Sequence, residues 1–524
     1  MIRYFLFIII VVWCCVSTGF SQNSEIIESS INWTLRNDTS SANRILLDTL
    51  FNLKKYDSVK KFLSRIESEN DRNGLYALYA KKALEHEQHD MAVLFADAVV
   101  KNFRKDPENF YLTDLRDLVF VLAYSGRFDD VDLIAESYED ERGDSDKWYR
   151  VFLPAVRGSM DGGHSAAVVR YLTLADTAVD RDDLQMLMAL SNLYKTTGNT
   201  EKARDVLNEV IAYLENEGDE GFRKFHHLKA AYDLALIGDR QNAVKLLTNN
   251  LDENDPENIS EAVRVYSALK DMGSVKKLLA KPAIVTGNHI SKTTVFDSLL
   301  LLGNMDMAED FARQMSDSPD SYEQQTAFDK LIRHHIKDGK NDKASAILSL
   351  SYNRAKMVKW EHDGYQSIGA SPGTRKVQYL RMIFENAVRL KNYGLAFDSI
   401  SAVDSEDNHA VEFMARQYAK FAETTSPKLF KKKIDAFYTK ANRLMADEDS
   451  LYLIKLSEAR LNAASGNREE SVNLLAEALE IAFEGCCSIE DALIGSIHIF
   501  DKYGLESNDR LQQILKQISK SDDD

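Results

Sequence analysis

The sequence predicts an all-α protein, an α-solenoid in which pairs of helices stack one after another. A six-residue phrase, which begins with Gly and usually ends with a small residue, recurs between apolar stretches of helical periodicity. The chain has 524 residues but only 7 Pro, and no run of alternating β-branched residues is bounded by hairpin turns. The copies of the phrase begin at Gly126, Gly198, Gly238, Gly303, Gly339 and Gly466.

The copy at Gly198 shows how the phrase turns the chain. Glycine adopts left-handed dihedral angles at low cost, so Gly198 suits the position just past a helix C-terminus. Asn199 and Thr200 are placed to cap the next helix. Ala203 is small, which lets the two helices cross closely. Apolar residues continue the helical spacing on both sides, at Leu187, Leu190, Leu193 and Tyr194 before the turn and at Val206, Leu207, Val210 and Ile211 after it.

This segment resembles a tetratricopeptide repeat, a helix-turn-helix unit of about 34 residues. Tyr194, Gly198 and Ala203 match the Tyr-like residue before the turn, the turn glycine and the alanine five residues later. Leu207 matches the large apolar position that follows. The resemblance implies a right-handed α-solenoid of about ten to twelve such repeats.

The spacing of the copies supports repetition. Gly126 and Gly198 are 72 residues apart, two units of 36, and Gly303 and Gly339 are 36 residues apart. Weaker units, each with further apolar residues at helical spacing, are marked by Val59, Ala92, Val275, Ala396 and Ile434.

The N-terminal residues 1–21 are predicted to be a secretory signal peptide. Arg3 precedes a continuous apolar run from Tyr4 to Val16, and Gly19 and Ser21 supply the small residues for cleavage after Ser21. The run is short for a membrane span. An uncleaved anchor and a lipoprotein are the alternatives, although Trp13 is a poor neighbour for a lipidated Cys14. We therefore expect an exported chain, periplasmic, in the cell envelope or secreted, with no membrane span after signal removal.

The remaining chain is predicted to contain two blocks of repeats separated by an insertion. The rhythm breaks between Ala344 and Ala396, which lie 52 residues apart. Because insertions in solenoids often fall on the binding face, Trp360 and Tyr365 are candidate partner-binding residues; a tolerated, mobile loop is the alternative. The predicted segments are an N-terminal segment at 22–40, repeats at 41–350, an insertion loop at 351–378, repeats at 379–515 and an acidic tail at 516–524.

The formal net charge of −17 constrains the partners. A surface with this charge repels phosphate backbones, which argues against nucleic acid and anionic membranes and favours a basic or neutral partner. The exception is a basic cluster, read as the solvated face of one helix, at Lys428, Lys431, Lys432 and Lys433. After signal removal only the adjacent Cys486 and Cys487 remain, so no ordinary disulfide framework is expected.

Catalytic and metal-binding patterns are weak. Ser371 lies in a G-x-S-x-G sequence, but no buried strand precedes it and Pro372 would disfavour starting a helix there. His86 and His89 are three residues apart and straddle an expected turn, unlike a zinc-protease pair. The rings of the adjacent pairs His226–His227 and His334–His335 would diverge on a helix. We expect no enzymatic activity, metal or cofactor.

The function predicted from the sequence is an exported, non-catalytic scaffold for protein–protein interaction. The resemblance implies a concave groove, lined by the first helix of each pair, that receives a protein or peptide. Segments such as Leu187–Thr196 and His226–Leu236 would line it. A glycan- or nutrient-binding protein of the cell envelope is the alternative, and a serine hydrolase using Ser371 is a third.

Overall fold

The structure, a computed structural model, is helical in every regular element of the residues it describes. It describes residues 25–36, 40–105, 107, 112–137, 144–319, 321–358, 372–403, 408–424, 430–446, 448, 450–485 and 489–520. Across these ranges there is no strand. The predicted all-α class is therefore confirmed.

Short helices follow one another along the whole described chain. Those of the first part are α1 (residues 25–36), α2 (Ser40–Asn52), α3 (Tyr56–Arg65), α4 (Glu69–Glu85), α5 (His89–Phe103), α6 (Leu112–Tyr124), α7 (Phe128–Ser137), α8 (Asp144–Lys147), a π-helical turn (Trp148–Phe152), α9 (Leu153–Asp161), α10 (Ser165–Ala178), α11 (Leu184–Thr196), α12 (Thr200–Glu215), α13 (Glu220–Leu236), α14 (Arg240–Asn250), α15 (Pro256–Ala268), α16 (Met272–Leu279), α17 (Ala283–Thr286), α18 (His289–Leu301) and α19 (Met305–Gln314). Those of the second part are α20 (Tyr322–Lys337), α21 (Asn341–Met357), α22 (Pro372–Arg389), α23 (Tyr393–Ser401), α24 (Asn408–Thr424), α25 (Lys431–Leu444), α26 (Leu451–Ala464), α27 (Arg468–Glu484), α28 (Ile489–Tyr503) and α29 (Asp509–Lys520).

The helices form successive pairs, as in a tetratricopeptide-like α-solenoid. The first helix of one pair packs on the first helix of the next, for example α13 on α15 and α24 on α26. The pairs are α2–α3, α4–α5, α6–α7, α9–α10, α11–α12, α13–α14, α15–α16, α18–α19, α20–α21, α22–α23, α24–α25, α26–α27 and α28–α29. This makes thirteen among the described helices, one more than the upper end of the predicted range. Two further pairs turn at Gly163 and Gly504, which also have positive φ but were not among the predicted copies of the phrase; Val168 and Asp509 stand five residues after them.

The turn at Gly198 has the predicted geometry. Gly198 has φ +78°, and the N–H of Asn199 donates to the carbonyl of Tyr194 at 2.9 Å. The side chain of Asn199 accepts from the N–H of Lys202 at 3.2 Å and so caps α12. Ala203 is completely buried. A helix end with a residue in the left-handed conformation and a hydrogen bond from the next N–H back to a carbonyl of the last helical turn is a Schellman motif.

The weaker repeats turn in the same way without glycine. Lys54, Glu87, Lys270 and Lys391 have φ between +57° and +61°. Each lies five residues before one of the small or apolar residues that marked a weak unit: Val59, Ala92, Val275 and Ala396. These four predicted units are confirmed.

The chain folds into two compact units. The central unit comprises Ile66–Ser316. The discontinuous unit comprises the described residues up to Arg65 and from Asp317 onward. In the discontinuous unit, helices near the two ends of the chain pack together: Trp33 meets Phe483 edge-on at 6.3 Å between ring centroids, and Arg36 donates to the carbonyl of Ser519 at 2.6 Å.

Helices extend into both ends of the predicted insertion at 351–378. Helix α21 continues to Met357 because its buried face continues through Ser351 and Ala355. Helix α22 begins at Pro372, so the expectation that this proline disfavours a helix start was wrong. Proline is well suited to the first helical position, where its missing N–H has no intrahelical partner. Likewise, residues 516–520 of the predicted tail complete α29.

Candidate functional site

A cleft of about 950 Å³ opens in the discontinuous unit along the first helices of four successive pairs. Residues three or four apart on each helix line it, because that spacing repeats on one helical face. Its helical lining includes Val377 and Arg381 on α22; Phe413, Arg416, Gln417 and Lys420 on α24; Leu453, Leu456, Ser457 and Arg460 on α26; and Gly495, His498, Ile499 and Lys502 on α28.

The floor of the cleft is apolar and closely packed. Phe413, Leu456 and Ile499 are each at most 8% exposed. Gly495 allows α28 to approach α26, since a Cβ atom added there would lie 2.8 Å from Cδ1 of Leu456. The floor therefore depends on a glycine that serves close helix packing rather than a turn.

The walls of the cleft are basic, in contrast to the net charge of −17. Five cationic side chains line it: Arg381, Arg416, Lys420, Arg460 and Lys502. Two carboxylates line it, and one of them, Asp501, forms an ion pair with Lys55. The field that a ligand meets in a cleft is set by the nearest charges, so this site favours an anion.

Glu423 fixes one wall of the cleft. Its Oε1 accepts from Nε of Arg460 and from the hydroxyl of Tyr503, both at 2.5 Å. Its Oε2 accepts from Nη2 of Arg460 at 2.9 Å and from Nζ of Lys502 at 2.6 Å. Burial alone would raise the pKa of Glu423, but these hydrogen bonds outweigh it and lower the pKa to about 2. The carboxylate thus anchors side chains of α26 and α28 to α24.

Arg416 and Lys420 on α24, in contrast to Arg460 and Lys502, are not held by a carboxylate of the described residues. Among the described residues, no carboxylate forms an ion pair with either of them. Burial, followed by the charge of Arg381, lowers the pKa of Lys420. Both side chains lie one helical turn apart on the same face of α24 and present their charge to the cleft.

The cleft has the chemistry of a binding site. His498 is the histidine that lines the cleft. Burial, followed by the charge of Arg460, lowers its pKa and favours the neutral ring. The described residues include no group of three His, Cys, Asp or Glu side chains that could hold a metal ion. What the cleft supplies is positive charge, hydrogen-bond donors and an apolar floor.

The candidate residues Trp360 and Tyr365 lie outside the described residues, as do Ser371, Cys486 and Cys487. Helices α11 and α13, which contain the predicted lining segments, are first helices of their pairs in the central unit, as the resemblance implied.

The predicted positions of other polar residues are confirmed. His86 follows the last residue of α4 and His89 begins α5, so the two straddle a turn as predicted. Lys431, Lys432 and Lys433 of the basic cluster are exposed at the start of α25, in agreement with a solvated helical face, and Lys428 lies outside the described residues. None of the described helices combines the length and apolar character needed to cross a membrane.

The cations of the cleft were missed in the sequence because they are scattered from residue 381 to residue 502. On α24, Arg416 and Lys420 are four residues apart on the same helical face as Glu412 and Glu423, which is the more exposed face of the helix. Charged residues on such a face are ordinary in an amphipathic helix, so they indicate a site only when the helix is known to border a cleft.

Comparison with known proteins adds two distant structural neighbours. No family model matches the chain, and no curated protein matches it. The pentatricopeptide repeat protein PPR10 from maize has 12% sequence identity and a TM-score of 0.31, over 93% of this chain and 76% of that one. The complex of Naa15 and Naa10 bound to HypK-THB has 13% identity and a TM-score of 0.27, over 86% of this chain and 78% of that one. The helix pairs and their turns place the chain in the tetratricopeptide-like α-solenoid class by its own geometry.

Proposed function

We propose that this chain is an exported, non-catalytic scaffold that binds a protein partner through the first helices of the discontinuous unit. The observation that carries the proposal is the single cleft shared by α22, α24, α26 and α28. Stacked helix pairs use such surfaces to bind extended partners. The signal-like residues 1–21 support export.

A site-specific cross-linking experiment tests this function in cells. A photoreactive p-benzoylphenylalanine replaces Gln378, an exposed residue of α22 that lines the cleft. The control places the same group at Lys432, which is exposed on the second helix α25. The scaffold predicts one protein adduct from position 378 that is missing from position 432. No adduct at 378, or the same adducts at both positions, would refute it.

The export part of the proposal has a separate test. The chain is expressed with its own N-terminus, and the envelope or secreted fraction is sequenced from the N-terminus. Cleavage after Ser21 predicts a mature protein that begins at Gln22. Recovery of the uncleaved chain in the cytoplasmic fraction would contradict export and leave the binding role to be judged by the cross-links.

A further inference from the structure

The unpaired cations of the cleft define the charge of its ligand. Arg416 and Lys420 lie one turn apart on α24 and have no carboxylate partner among the described residues. In contrast, Arg460 and Lys502 are held by Glu423. Arg416 is exposed and Lys420 is partly buried, and an anionic group between them would gain charge-assisted hydrogen bonds from both.

A buried amide between these cations points to a ligand with a polar backbone. Gln417 lines the cleft and is 4% exposed, yet its Oε1 atom has no hydrogen-bond partner. Buried side-chain oxygens in proteins are normally paired, so an unpaired one is unfavourable until a donor reaches it. The backbone N–H of a bound peptide is such a donor.

The apolar floor of the cleft favours a ligand that has an apolar side chain as well as a negative charge. Phe413 and Leu456 line the cleft beside the charged residues. An extended peptide places successive side chains on alternate sides, so it can direct carboxylates to the walls and an apolar group to the floor.

We propose that the cleft binds an acidic peptide segment of the partner, with its carboxylates on Arg416 and Lys420, its backbone on Gln417 and an apolar side chain on the floor. This inference rests on the proposed scaffold function and names the kind of segment that the partner supplies. An acidic peptide is favoured over a nucleic acid because the unpaired Oε1 atom of Gln417 matches a backbone N–H and the apolar floor matches an apolar side chain.

The binding test uses the purified full chain and a fluorescein-labelled peptide of sequence Glu-Glu-Phe-Glu-Glu. Its counterpart, Gln-Gln-Phe-Gln-Gln, has the same shape without charge. Fluorescence anisotropy is expected to show at least about tenfold tighter binding of the acidic peptide, and this difference shrinks as salt is added. Equal binding of the two peptides would overturn the proposal.

Two sets of variants assign the binding to the cleft. The double variant Arg416→Gln, Lys420→Gln is expected to weaken binding of the acidic peptide by at least about tenfold. The control Lys431→Gln, Lys432→Gln removes the same charge from an exposed face of α25 and should change binding less than about twofold. An equal loss in both double variants would show that net charge, and not the cleft, governs binding.

Gln417→Met separates recognition from folding. It replaces an amide with an unpaired oxygen by an apolar side chain of similar size, so the stability of the chain should be kept or increased. Peptide binding should nevertheless weaken by about threefold or more because the backbone loses its acceptor. Unchanged binding would exclude the role of Gln417 given above.

Competing ligands complete the experiment. A single-stranded oligonucleotide or a sulfated glycan that binds more tightly than the acidic peptide, and loses binding in the Arg416→Gln, Lys420→Gln variant, would overturn the peptide assignment.

A variant with Asp522→Asn, Asp523→Asn and Asp524→Asn tests whether the chain's own acidic end occupies the cleft. A gain of tenfold or more in peptide affinity in this variant would make that end the occupant.

The failure of this inference is distinguishable from the failure of the scaffold function. If position 378 cross-links to a protein segment without Asp or Glu, the scaffold stands and the acidic ligand is refuted. If the acidic peptide binds with the expected variant effects but no protein is captured in cells, the site stands and the scaffold role is refuted.

Discussion

Replacing the carboxylate of Glu423 by an amide is the strongest test of how the cleft is built. The variant Glu423→Gln keeps the shape of the side chain but removes the charge that holds Arg460, Lys502 and Tyr503. Glu423 is only 14% exposed, so solvent screens these contacts little. We expect the discontinuous unit to lose stability while the central unit does not change.

The expected loss follows from the pKa of Glu423. The pKa is about 2 in the folded chain, against an ordinary value of 4.5. A difference of this size corresponds to about 3 kcal/mol of folding stability at neutral pH. Because the folded pKa is the lower one, this stability is fully present above pH 4.5 and is lost as the pH falls towards 2. By the same relation, only about 1 kcal/mol remains at pH 3.

Hydrogen exchange under increasing urea measures this loss locally. Peptides from α24, α26 and α28 should lose protection in Glu423→Gln at pH 7, and the difference from the unchanged chain should narrow between pH 5 and pH 3. The control Glu412→Gln removes a cleft carboxylate that forms no ion pair with another described residue, and it should have little effect. Equal losses in both variants, or a difference that does not change with pH, would refute the reasoning.

Three further substitutions test the turns and the packing of the chain ends. Gly198→Ala should destabilise α11 and α12 by about 1 kcal/mol, measured by urea unfolding, because alanine is strained at φ +78°. Lys270→Gly should stabilise its hairpin by about 0.5–1 kcal/mol, and an equal gain in Lys270→Ala would contradict relief of backbone strain as the cause. Trp33→Ala should accelerate hydrogen exchange in α27 because the ring contact with Phe483 is lost; unchanged exchange there would show that this contact is dispensable.

The repeat architecture was predictable because its signals are local. The turn at Gly198 is closed by a hydrogen bond between residues five apart, Asn199 and Tyr194, so the sequence around one glycine contains the whole motif. The same register places Lys391 in a left-handed conformation, five residues before Ala396. A small residue in the following helix thus locates a turn even where the glycine has been replaced.

Contacts between distant parts of the chain were not predictable in this way. Nothing in the periodicity of residues 22–40 indicates that Trp33 will meet Phe483, about 450 residues later. The half-buried ring of Trp33 does not interrupt the helical periodicity of the residues around it. Similarly, Lys55 and Asp501 form an ion pair that no spacing rule connects. The ion pair forms because the stacking of the helix pairs brings Lys55 and Asp501 together in the discontinuous unit.

The basic cleft could not be predicted from the sequence for a related reason. Net charge averages over the whole chain, and −17 favours a basic or neutral partner. A ligand instead responds to charges within about one Debye length, roughly 10 Å at moderate salt. Arg416 and Lys420 form such a local field only after α24 is placed beside α26 and α28. The structure therefore supports a different partner charge from the one that composition favours.

Glu423 explains how so many cations can share one cleft. If Arg460 and Lys502 were unpaired, their repulsion towards Arg416 and Lys420 would oppose the packing of α24 against α26 and α28. Glu423 forms ion pairs with Arg460 and Lys502 at one wall. Its charge and that of Glu385 only partly offset the lowering of the pKa of Lys420, which forms no ion pair among the described residues and is left for a ligand. Stability and binding are thus divided between neighbouring residues, so Glu423→Gln should lower stability, whereas Arg416→Gln with Lys420→Gln should lower affinity without that cost. A chain in which both changes had the same effect on stability would not have this division.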